Sequence, residues 1–189
     1  MMRVDVSFDE KTIEMCRSLL GLEMECFFSD PFIYTSDVFG IVGFYVGGET
    51  FKLTCESERL QRFFAADDVA VMRFSKCERR DIVSKMDDGE MISHPIKDVI
   101  YRIDIVNDYE TVTHEGDCSE FVSTKGIIFC MESGNEVSFE VGTWFSEMIT
   151  IRRGYRLSDR FVPVSEFYEE WDENSEYKPD CNRKIITLM

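Results

Sequence analysis

A period-two alternation of apolar and polar residues, punctuated by glycine turns, governs most of this sequence. In "DVFGIVGFYVGGETFKLTC" the run from Val38 to Val46 is apolar on both faces, and Phe51, Leu53 and Cys55 then alternate with Lys52 and Thr54. Successive side chains on a strand point to opposite faces, so this reads as a central strand followed by a half-buried one. Gly47-Gly48 between them supplies the positive φ angles of a tight hairpin turn. "KGIIFCMESGNEVSFEVG" repeats the pattern with its turn at Ser133-Gly134-Asn135.

Other strands follow from the same rule. Leu22, Met24, Cys26 and Phe28 alternate with Glu23 and Glu25, and Pro31 closes the run. "DDVAVMRF" and "EMITIRRG" are strands, and "NRKIITLM" is a terminal strand or tail. "IKDVIYRIDIVNDYETVTH" reads as two strands joined by a turn near Asn107-Asp108. Helical signals are fewer. Ser7 with Glu10 three residues on is a capping-box pattern, Ile13, Cys16, Leu19 and Leu20 share one face, and Gly21 ends the helix. "SERLQRFF" is a short helix with Leu60, Phe63 and Phe64 inward, and a last helix starts at Pro163.

The expected fold is therefore α+β and β-rich: mostly antiparallel curved sheets or small barrels, with N-terminal and C-terminal helices packed on them. The organisation reads as an N-terminal helix plus β unit over 1–77, a charged connector over 78–95, and a second β unit with the acidic helix over 96–189, or as one compact domain. The two units look related. Gly40-Ile41-Val42, Gly48 and Phe51/Leu53/Cys55 align without a gap onto Gly126-Ile127-Ile128, Gly134 and Val137/Phe139/Val141. An aromatic pair and a strand ending in Arg73 or Arg152 follow in each copy. A fixed offset of this kind is the sign of an internal repeat.

Charge and motif content narrow the function. The net charge is −16. A nucleic-acid binder needs cationic surface to neutralise phosphates, so the expected partner is a basic protein instead. No apolar run reaches the ~20 residues of a membrane helix, and "MMRVDVSFDEKTIEMC" lacks the apolar stretch of a secretory signal, which reads as cytoplasmic. The 7 cysteines are irregularly spaced without a C-x-x-C pair, so they read as reduced, mostly buried thiols. Only His94 and His114 are present, outside any zinc-hydrolase or deaminase spacing. There is no phosphate loop, no dinucleotide fingerprint and no nucleophile elbow, so no cofactor and no enzymatic reaction is indicated.

Two sites stand out. "SEFYEEWDENSEYKPD" combines acids with aromatics. Either it is an amphipathic helix in which Phe167 and Trp171, four apart, dock on a sheet while the acids face water, or Tyr168, Glu169, Glu170 and Trp171 form a protein-binding surface. The second reading is an anion-binding module between the β units, built from Arg152, Arg153 and Trp144, because Arg forks bind carboxylate and phosphate.

Overall fold

The structure, a computed structural model, describes residues 2–32, 36–86, 89–171 and 175–189. Eleven strands form one strongly curved sheet: β1 (Met2–Val6), β2 (Glu23–Ser29), β3 (Asp37–Phe39), β4 (Ile41–Val46), β5 (Glu49–Arg62), β6 (Ala65–Lys76), β7 (Ile92–His114), β8 (Asp117–Met131), β9 (Glu136–Val141), β10 (Met148–Gly154) and β11 (Lys178–Leu188). The path runs β3-β10-β9-β8-β7-β2-β4-β5-β6, with β1 parallel to β8 and β11 antiparallel to β7. It stays open, with β3 and β6 at its ends, so the sheet is not a closed barrel. The mostly antiparallel, β-rich, curved architecture agrees with the alternation in the sequence. Among the described residues, no helix is long and apolar enough to cross a membrane.

The curved sheet folds over a core in which Phe27, Phe44, Phe129 and Phe139 meet edge to face or tilted, with ring centroids 4.9–6.1 Å apart. Helix α1 (Glu10–Arg17) and the turn after it contribute the fully buried Cys16 and Leu19. Four of the seven cysteines (Cys16, Cys55, Cys130, Cys181) are buried. Burial pushes the thiols of Cys16, Cys55 and Cys181 up to about 12, which keeps them protonated and unreactive.

Several local readings change. The cap of α1 is Asp9, whose carboxylate accepts from the Thr12 backbone N–H, and not Ser7. A bulge between Met24 and Cys26 flips the phase of β2, so Phe27 and Ser29 are buried and not Cys26 and Phe28. The expected helix over 57–64 is the end of β5, because each of its residues to Arg62 has a partner on β6. Phe63 and Phe64 form the hairpin tip, and Phe64 points outward, not inward. No turn occurs at Asn107-Asp108: β7 runs on for 23 residues and turns at Glu115-Gly116. The C-terminal helix α2 (Glu166–Glu169) is a single turn, and Ser165 precedes it without a capping bond. The two similar hairpins, β4-β5 and β8-β9, both form, but with different turns. Ile41 pairs with Thr54, whereas its aligned Ile127 pairs with Phe139, one residue short of Glu140.

One bulge positions the candidate site. Val106 pairs with Gly126 and Asn107 with Thr124, which leaves Lys125 as an extra residue on β8. A bulge re-aims its side chain. Next to it, Gly126 lets Phe161 lie against the strand: a Cβ there would sit 2.4 Å from the Phe139 carbonyl oxygen and 2.8 Å from the Phe161 ring. Gly126→Ala is expected to cost about 1–3 kcal/mol, read as a lower urea midpoint. An unchanged midpoint would show that both the Phe139 carbonyl and the Phe161 ring give way without cost.

Candidate functional site

A cleft of ≈ 250 Å³ opens on the outer face of the β7-β8-β11 region, walled by residues 142–145 and 162–170. Its floor follows from strand register. Arg183 on β11 is paired with Asp108 on β7, so their side chains lie side by side and form a two-bonded ion pair at 2.7 and 2.8 Å. Burial opposes the Arg183 charge, but the bonds to Asp108 outweigh it and hold its pKa above the ordinary value. Glu110 lies two residues further along the same face. Lys125, turned in by the bulge, is only 8% exposed, and its Nζ reaches the Gly142 carbonyl at 3.5 Å. It makes no ion pair among the described residues.

Arg62 closes one end. It comes from the tip of the β5-β6 hairpin, is 5% exposed, and donates to Glu110 Oε2 at 3.1 Å and Glu170 Oε2 at 3.0 Å. Its guanidinium lies 4.2 Å from the Trp144 ring centroid and 4.8 Å from that of Phe63. Stacking on aromatic faces while pairing with carboxylates suits the planar guanidinium of arginine. Burial pushes the Glu110 carboxyl up, and attraction to Arg62 and then Lys125 offsets this only in part.

The wall is acidic and aromatic. Glu166, Glu169 and Glu170 project from α2 and the residue after it. Glu170 is tied to Arg62, whereas Glu166 and Glu169 make no ion pair among the described residues. Trp144 and Phe145 form the facing wall, and Phe145 is 61% exposed. Beneath α2, Phe63, Phe167 and Trp171 pack with centroids 5.7–6.2 Å apart and make a second hydrophobic core.

The residues singled out in the sequence divide between places. Glu169 and Glu170 line the cleft, and Trp144 faces them across it. Tyr168 sits just outside, 40% exposed, donating to Asp180 at 3.2 Å and accepting from the Cys181 backbone N–H at 3.2 Å. Trp171 is half-buried against Phe63 and Tyr177 and serves packing. Arg152 and Arg153 are not with Trp144. Arg152 pairs with the fully buried Glu140, whose other oxygen accepts from the Val162 N–H at 2.6 Å. Arg153 lies over the Phe27 ring at 5.0 Å on the opposite side of β10. Burial lowers the pKa of Arg153, and burial together with the Arg153 charge lowers that of His94.

Sequence reading missed Arg62, Lys125, Glu110 and Arg183. No local pattern set them apart, because each lies in a polar stretch of the sequence: "ERLQRFF", "NDYET", "STKG" and "CNRK". Comparison with known proteins finds no matching family model, no similar curated protein and no similar solved structure.

Proposed function

We propose that the protein is a non-enzymatic interaction module whose acidic, aromatic cleft takes a cationic side chain from a basic segment of a partner protein. The observation that carries this reading is the pairing pattern. Asp108 is neutralised by Arg183, Glu110 and Glu170 share Arg62, and the unpaired Lys125 offsets the one negative charge left over from that sharing, so Glu166 and Glu169 are the surplus negative charges of a cleft that also presents Trp144 and Phe145. An incoming guanidinium can bond to those carboxylates while its plane rests on an aromatic ring. The surrounding charge of −16 steers such a partner inward.

A tetra-arginine peptide is expected to bind one-to-one in calorimetry at low salt and to weaken steeply as salt rises, whereas tetra-glutamate does not bind. Glu166→Gln with Glu169→Gln should weaken the arginine peptide by about three- to tenfold, the worth of two exposed ion pairs. Unchanged affinity in the double variant would place binding elsewhere on the acidic surface.

A second reading rests on a different opening, of ≈ 450 Å³, lined by Arg152, Arg153, Tyr155 and Arg160. Neither Arg153 nor Arg160 has an ion-pair partner among the described residues. That makes this opening the place for an anion if the module binds one, and Trp144 has no part in it.

A further inference from the structure

Away from the cleft, at the far tip of the β7-β8 hairpin, three ligating side chains converge. We propose that His114, Glu115 and Glu176 bind a divalent transition-metal ion of the zinc class. One ligand atom from each residue lies within 4.8 Å of the other two.

The backbone brings them together for reasons independent of any metal. Glu115 and Gly116 take φ values of 50° and 89°, so the hairpin turns at once after His114. The β11-β7 register pairs Lys178 with Thr113. Carried back along the chain, it sets Tyr177 beside His114 and Glu176 beside Glu115. The first of these neighbours is seen directly, with the Tyr177 and His114 rings 4.2 Å apart and edge to face. The second sets two carboxylates opposite one another, an arrangement that disfavours the pairing unless a cation lies between them.

His114 supplies a second, separate indication. Phe64 lies 5.9 Å from its ring and 5.8 Å from that of Tyr177, so the imidazole belongs to a cluster of three rings. Its Nδ1 is shielded from solvent and has no hydrogen-bond partner. A buried ring nitrogen left unpaired costs free energy, whereas a metal-bound imidazole has its tautomer and orientation fixed. One nitrogen and two carboxylates suit zinc and its neighbours better than magnesium or calcium, which prefer oxygen throughout. The bound ion would tie the hairpin tip to the segment entering β11.

The test uses the full reduced chain, stripped with a chelator, and zinc chloride as the probe. Calorimetry should show one-to-one binding, accompanied by a rise in melting temperature. His114→Gln and Glu176→Gln should each weaken it by at least about tenfold. Glu176 is exposed, so its variant folds even if the His114 variant does not. Cobalt should give visible bands without the intense thiolate charge-transfer absorption that a cysteine ligand produces. Wild-type affinity in both variants, a thiolate signature, or no binding at millimolar zinc would each overturn the proposal.

Discussion

Replacing Arg62 with alanine is expected to lower stability by about 3–5 kcal/mol, because it strands Glu110 as an unpaired charge in a buried place. The effect should depend on pH in a definite direction. Burial holds the Glu110 pKa above the ordinary carboxylate value, so between those two values the folded protein binds a proton that the unfolded chain releases. Stability from this group therefore falls as pH rises through that window. Without Arg62 the pKa climbs further and the window widens. The penalty of Arg62→Ala should be large at neutral pH and should shrink near pH 4, about where free carboxylates protonate. Adding Glu110→Gln should recover much of the loss at neutral pH. Urea melts of the wild type, single and double variants at both pH values decide it. A penalty that ignores pH and the second substitution would mean that Arg62 acts by packing on Trp144 and Phe63 instead.

Phe139→Ala should cost a similar amount, about 3–5 kcal/mol, through the cavity it leaves. Phe139 has no solvent exposure and packs against Phe27 at 5.4 Å, Phe44 at 4.9 Å and Phe129 at 6.1 Å. These rings come from β2, β4 and β8, so one side chain links strands from both halves of the sheet path, on either side of β7. Phe139→Leu, which fills part of the volume, should cost clearly less. Equal melting temperatures for the two variants would show that the neighbouring rings collapse into the space.

The alternation that makes β4, β5, β8 and β9 was legible because a strand half-buried on one face writes its burial into the sequence every second residue. The same rule failed where the ladder slips. At Met24/Cys26 and Val106/Asn107 a bulge inverts the phase, and no residue type announces it. "SERLQRFF" has the spacing of a helix, but tertiary pairing with β6 overrides that local pattern. The candidate site was legible only on one wall. Glu169, Glu170 and Trp144 could be noticed as acids beside aromatics. Arg62, Glu110, Lys125 and Arg183 meet only because hairpin length, register and a bulge bring distant segments to one place. Arg152 and Arg153, adjacent in sequence, take different partners, Glu140 and the Phe27 ring, because successive side chains on β10 face opposite ways, yet both border the opening that Tyr155 and Arg160 line.

The central claim is that the cleft beside α2 receives a cation, and amide chemical-shift mapping with the tetra-arginine peptide tests it most directly. The account predicts shifts concentrated at Thr143, Trp144, Phe145, Val164, Glu166 and Glu169, saturating at one peptide per chain and fading as salt rises. Shifts spread over acidic residues all around the surface, or centred on another face, would contradict it.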